Sequence, residues 1–290
     1  MPGKPRPILT YIVLVALLSA IPYSFIVHAH HLGLGGLITG VLMWMPATAA
    51  VLTCLWLRID LATLGWNWRP TRYEVLAYVL PLLYATPVYL ACWVFIPGSL
   101  NWSAFAKAGA ASYGIPGSPV GGGCVAIAVF ATFGVVRSLS SALGEEIGWR
   151  GFLLPRLTGR FGFNIGCLIS GCIWAVWHYP ALLLADYNSG TPKPYALTCF
   201  TLMVIAMAFM MGWLRLKSQS LWPCALLHAS HNLFVQAIFD QLTKPAGKAL
   251  YVTTEFGFGL VLTIAVAAIV LVVRDPVRAA ADQPTQLAGA

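Results

Sequence analysis

The stretch "SALGEEIGWRGF", residues 141–152, sets Glu145 beside Glu146, with Arg150 four residues beyond the second acid. Its flanks are apolar: "AIAVFATFGVV" at 126–136 and "GFLLPRL" at 151–157. Adjacent carboxylates are ordinary on a wet surface. Inside an apolar run they need either partners or a task. The whole chain of 290 residues has the character of those flanks. It is 59% hydrophobic and 9% charged, with a mean hydropathy of +0.79. Soluble domains carry about 25% charged residues, so lipid is the expected solvent here.

A spanning helix needs about 20 mostly apolar residues. Eight stretches qualify, near residues 8–28, 34–57, 74–96, 125–156, 163–184, 195–214, 219–240 and 256–273. The expected class is therefore all-α, a polytopic membrane protein of about eight transmembrane helices. The first stretch is too long for a signal peptide, and no clean small-residue cleavage site follows it. Residues 109–123, rich in Gly, Ser and Pro, read as a loop, and the tail at 279–290 reads as disordered. Three parts of one integrated membrane domain follow: 1–124 with the first three spans and an outer loop, 125–240 as a core, and 241–290 with the last span and the tail.

Lysine and arginine set the orientation of such a chain. One side receives Lys4, Arg6, Arg58, Arg69, Arg72, Arg150, Arg156, Arg160, Arg215, Lys217, Arg274 and Arg278, twelve in all; the other receives Lys107, Lys193, Lys244 and Lys248. The first side is expected to be cytoplasmic, with both termini there and the protein multi-pass in the cell membrane. The net charge of +8 is scattered between apolar runs. It forms no basic stripe, so nucleic acid is not an expected partner. The seven cysteines contain no CxxC pair and read as small buried hydrophobes.

An ionisable group at mid-bilayer costs about 2.5–3.5 kcal/mol on insertion scales. Glu145, Glu146, Arg150, His178, His228, His231, Asn232 and Arg137 all fall in apolar stretches. Counted from the basic ends of their helices, Glu145, His178 and His228 lie at similar depths, about 14–23 Å. Glu146 and Arg150 are spaced i, i+4 with the acid first, as are Trp174 and His178, and His228 and Asn232. Glu145 sits about 100° round the helix from Glu146. Glu146 is accordingly expected to pair with Arg150, and Glu145 to face the histidines.

Such a set suits amide hydrolysis. A desolvated carboxylate near a cation is fit to act as general base for water. His178 is placed to hold that water or shuttle its proton, and His228 with Asn232 offers donors to an oxyanion. Two histidines and a glutamate also match a His₂Glu zinc set, with Glu145, His178 and His228 as its ligands. No cofactor is the favoured expectation and zinc the alternative. The cavity holding these groups is expected to open to the cytoplasm.

"EEIGWR" fits an EExxxR pattern, "WAVWH" an FxxxH pattern with Trp174 at the usual Phe, and "HASHN" an HxxxN pattern. Their order and wide spacing resemble the CPBP family of intramembrane proteases. That family, also called Abi, includes type II CAAX prenyl endopeptidases and bacteriocin-processing or self-immunity proteins. The resemblance covers roughly residues 125–240. It implies Glu145 as catalytic acid/base, His178 as its partner, His228 and Asn232 as transition-state stabilisers, and support from Glu146, Arg150 and Trp174. The expected function is an intramembrane endopeptidase acting on a membrane-tethered peptide near the cytoplasmic face, a prenylated CAAX end being one form of such a tether, with lipid as its other partner. Two competing readings are a non-catalytic scaffold or bacteriocin self-immunity protein, and a proton-coupled transporter. The tract "HAHH" ends the first span and is expected to lie far from the cluster. His231 is expected to pack or support, and Arg137 either to stabilise an anion or to close an internal pair.

Overall fold

The computed structural model describes residues 7–32, 36–68, 70–114 and 119–277. Lys4, Arg6, Arg69, Arg278 and the tail expected to be disordered, 279–290, lie outside the described residues. Among the described residues all regular structure is helical, apart from one isolated bridge between Leu100 and Thr243. In chain order the helices are α1 (Pro7–Ala29), α2 (Leu37–Leu57), α3 (Thr71–Phe95), α4 (Trp102–Tyr113), α5 (Pro119–Val129) and α6 (Val135–Glu146). They continue as α7 (Leu154–Leu184), α8 (Lys193–Ser218), α9 (Trp222–His231), the short α10 (Ala249–Val252) and α11 (Phe258–Arg274). Three π-helical segments, Phe130–Gly134, Ile147–Leu153 and Asn232–Phe239, join or extend α5, α6, α7 and α9.

Each of the eight apolar stretches falls on a helix. Among the described residues, five helical segments are long and apolar enough to cross a membrane by length and composition. One of them, Val120–Leu184, runs for 65 residues. It is broken at Gly162, whose φ of 77° and ψ of 169° leave the helical region. A positive φ is open to glycine at little cost. The chain folds back there, so that Gly166 lies against Thr158 and Trp174 reaches Glu145. Five prolines, Pro22, Pro46, Pro81, Pro87 and Pro180, sit inside helices. In a bundle, neighbouring helices and side chains re-satisfy the backbone groups they free.

The expected loop at 109–123 is largely helical. Residues 102–113 form α4 and residues 119–129 form α5, while 115–118 lie outside the described residues. Its glycines serve contact rather than turning. A Cβ on Gly109 would come within 2.5 Å of the Gly122 carbonyl oxygen, and one on Gly122 within 2.5 Å of Ala110. Of the cysteines, Cys124 and Cys172 are exposed and the other five buried, so the buried reading holds for most but not all.

In lipid, helices gain little from hiding apolar surface and associate through close packing of small residues. The acid-bearing helix is seated in this way. A Cβ on Gly144 would meet the Met43 carbonyl oxygen at 2.6 Å, and one on Gly148 would meet Pro46 and the Tyr11 hydroxyl at 2.5 Å. Overpacking of this kind typically costs about 1–3 kcal/mol. Gly148→Ala is therefore expected to lower the melting temperature of the detergent-purified protein. Gly159→Ala, where an added Cβ meets nothing within 4 Å, is expected not to. Equal melting of the two variants contradicts the close α2–α6 seating.

Candidate active site

Glu145 and Glu146 end α6, and the wider π-helical turn Ile147–Leu153 begins directly after them. π-segments occur frequently at functional sites. Both acids are buried, at 1% and 0% exposure. Glu146 Oε1 accepts from Arg150 Nη1 at 2.8 Å, the pairing expected from the i, i+4 spacing. The same oxygen also accepts from His228 Nδ1 at 2.9 Å. This second bond differs from the expectation that the histidines belong to Glu145. The Arg150 guanidinium carbon lies over the Trp174 ring, 3.9 Å from its centroid. The Arg150 carbonyl accepts from Arg215 Nε at 3.1 Å.

Glu145 points the other way, as its step round the helix requires. Its Oε2 accepts from Trp174 Nε1 at 2.7 Å and from Trp149 Nε1 at 3.3 Å. Its Oε1 has no hydrogen-bond partner among the described residues, and the side chain lines a cavity of about 860 Å³. His178, His228 and Asn232 line the same cavity. His178 Nδ1 bonds the Trp174 carbonyl at 2.9 Å. A carbonyl only accepts, so Nδ1 carries the proton and Nε2 is left for other partners. The ring of Trp174 meets His178 edge-on with centroids 5.9 Å apart, and His228 with centroids 5.5 Å apart. Trp174 thus keeps the expected aromatic packing against His178 and adds an indole donor that a phenylalanine lacks.

A second polar group lines the cavity and was not read from the sequence. Glu255, in the link between α10 and α11, takes His231 Nε2 at 3.0 Å on Oε1, and the Tyr187 hydroxyl at 2.6 Å and Gln236 Nε2 at 3.0 Å on Oε2. Burial works against the Glu255 charge, but the bonds from His231 and Tyr187 outweigh it and hold the carboxyl below the usual range. His231 Nδ1 meets the Tyr84 hydroxyl at 2.7 Å. The available signal was an isolated acid in "YVTTEFGFG", in a chain with only nine acids.

The cavity lies in the half of the bundle nearest residues 30–32 and 36 and the links at 185–192 and 253–257. His31, Gly36, Tyr187 and Glu255 line it there. One expectation changes: the "HAHH" tract is not far from the site, since His31 lines the cavity and stands 3.4 Å from Asp186. Arg137 lines it as well and closes no internal pair among the described residues.

Among the described residues, no three His, Cys, Asp or Glu side chains converge as a metal-binding group. Glu145, His178 and His228, the set expected should zinc be used, share the cavity without closing on one point. His228 Nδ1 is already committed to Glu146 and His178 Nδ1 to a carbonyl.

Residues 127–234 match the family described as type II CAAX prenyl endopeptidase Rce1-like. Over 99 residues the chain is 26% identical to the CAAX prenyl protease 2 of Methanococcus maripaludis, an overlap of 33% of this chain and 36% of that protein. The matched part spans about a third of that relative's length. The resemblance read from the three motifs is borne out for this core, which holds all of them and excludes Glu255.

The two adjacent acids are expected to respond differently to neutralisation. Removing one partner of a buried ion pair typically costs about 3–5 kcal/mol. Glu146→Gln strands Arg150 and should lower the melting temperature steeply. Glu145→Gln keeps an oxygen for the two indoles and should melt close to wild type. Thermal unfolding of both variants in one detergent checks this.

Proposed function

We propose that this protein is a membrane-embedded endopeptidase that hydrolyses a peptide bond of a membrane-tethered substrate. One observation carries the reading: Glu145, held by two indoles, shares the wall of one cavity with His178, His228 and Asn232. Water bound between Glu145 Oε1 and His178 Nε2 loses a proton to the carboxylate as its oxygen bonds to the substrate carbonyl carbon. The resulting oxyanion takes hydrogen bonds from the Asn232 amide and from His228, whose charged form is paired with Glu146. Collapse of the tetrahedral intermediate breaks the C–N bond, and the leaving amine receives the proton through Glu145 or His178. Glu146 and Arg150 do not touch the substrate in this scheme. They position His228 and, through Trp174, Glu145.

The name of the archaeal relative supports a substrate near a prenylated C-terminal tail. The sequence orientation supports eight membrane passes with both termini on the basic side, in the cell membrane. Lipid and the tethered peptide are the partners. The core at 125–240 carries the chemistry, the helices before it and after it close the cavity, and no cofactor is required by the scheme.

The test is cleavage of a lipidated and an unlipidated peptide library by purified protein. Glu145→Gln and His178→Ala are expected to abolish cleavage while both variants remain folded. Asn232→Ala is expected to lower kcat by about 10²–10³, the usual effect of losing one oxyanion donor, with KM little changed. A biological effect that survives Glu145→Gln favours the scaffold or immunity reading. Stoichiometric zinc, with activity lost to a chelator and restored by zinc, overturns the direct use of Glu145 as base.

A further inference from the structure

We propose that Glu255 is a positioning residue: it fixes the turn that carries Asn232 by gripping a side chain on either side of it. The reaction it serves rests on the peptidase reading above; the grip itself does not.

The first support is the pattern of bonds. Asn232 lines the cavity and begins the π-helical segment Asn232–Phe239. Its side chain has no hydrogen-bond partner among the described residues, so the backbone sets its aim. His231 precedes it by one residue and Gln236 follows it by four. His231 Nε2 donates to Glu255 Oε1 at 3.0 Å, and Gln236 Nε2 donates to Oε2 at 3.0 Å. One carboxylate thus holds both ends of the turn containing Asn232. The wider π-turn, with bonds such as that from the Asp240 N–H to the Val235 carbonyl at 2.8 Å, gains its hold from outside.

The second support is that the carboxylate is itself anchored. Its Oε2 also takes the Tyr187 hydroxyl at 2.6 Å, from the link between α7 and α8. The Tyr187 ring meets Phe200 and Phe256 edge-on, with centroids 5.8 and 5.2 Å apart. Glu255 is 7% exposed, and a buried carboxylate persists only when bonded in this way. Glu145 and Glu255 both line the cavity, but three donors occupy the Glu255 oxygens. Glu255 therefore acts through the segment it holds and not on the substrate.

The third support is the backbone just before it. Thr254 has a φ of 65°, in the left-handed region that a β-branched residue rarely enters. Such strain persists only where the surroundings impose it, and it collects at functional sites. Here the Thr254 N–H donates to the Tyr89 hydroxyl at 3.1 Å, and the Thr254 hydroxyl takes the Phe256 N–H at 3.2 Å. The link is held in a costly conformation at the residue that precedes the grip.

The test uses the full chain in detergent. Glu255→Gln keeps the shape of the side chain but turns one acceptor into a donor that faces donors. Hydrogen–deuterium exchange at residues 229–239 is expected to quicken at least about tenfold, with α1 unchanged. Unchanged exchange at 229–239, or faster exchange spread evenly over the bundle, overturns the grip. Gln236→Leu removes one hold only; it is expected to quicken exchange at 232–239 and keeps the proposal testable should Glu255→Gln not fold. In peptide hydrolysis Glu255→Gln is expected to lower kcat about tenfold or more, with KM within about twofold. In the Asn232→Ala background the same change should lower kcat by less than about twofold, because the donor it positions is gone. An equal loss in both backgrounds would show a general structural role and overturn the proposal. No hydrolysis by wild type, with exchange as expected, would sink the peptidase reading and leave the grip standing.

Discussion

The structure depends on one buried ion pair. Glu146 and Arg150 are both at 0% exposure, in a bundle whose surroundings offer almost no water. Taking two charges out of water costs several kcal/mol per ion, and their attraction offsets this only where geometry and further bonds are good. Here the pair draws partners from three other helices. His228 on α9 shares the Glu146 oxygen, Trp174 on α7 offers its ring to the guanidinium, and Arg215 on α8 binds the Arg150 carbonyl. Glu146 Oε2 and Arg150 Nε and Nη2 are buried with no hydrogen-bond partner among the described residues. Because none of the partners is local, the pair ties four helices together.

That arrangement explains how two neighbouring acids acquire different environments. About 100° of helix rotation separates them. Glu146 turns into the packed floor, where its Oε1 takes both Arg150 and His228. Glu145 turns onto the cavity wall, where its bonds come from two neutral indoles and one oxygen stays open. Trp174 links the two halves of this division. One face of its ring stabilises Arg150, its N–H holds Glu145, its carbonyl fixes the His178 tautomer, and its edges bound both imidazoles. Single substitutions in this group will therefore couple rather than add.

Much of this was legible in the sequence because it depends on local spacing. Apolar length gave the helices, and i, i+4 spacing gave the Glu146–Arg150 pair and the faces carrying His178, His228 and Asn232. What escaped depends on contacts between distant segments. His228 chose Glu146 over Glu145 across 82 residues, and Glu255 found Tyr187 across 68. The stretch 109–123 misled because glycine serves loops and close helix contact equally well. The helix end was also placed too early: the π-helical turn after Glu146 carries the helix past the expected end near 156 to the break at Gly162.

The wall opposite Glu145 shows why a second polar group sits so near the first. The proposed scheme needs His228 and Asn232 to present their polar atoms to one point, yet Asn232 begins a π-segment, where the regular helical bonding is interrupted. Such a wall would be loose if it were held by its own helix alone. Instead each of its turns is bonded from outside. Glu146 holds His228, Ser138 of α6 donates to the Ala229 carbonyl at 2.9 Å, and Tyr84 of α3 with Glu255 grips His231 from both ring nitrogens. Donors aimed at a developing oxyanion help only if they are already in place when charge appears, since reorganisation at that moment would consume the gain. In the proposed scheme the Glu255–His231–Tyr84 group is the outer brace of the wall that would hold the oxyanion, as Arg150 and Trp174 are the inner brace of the acid.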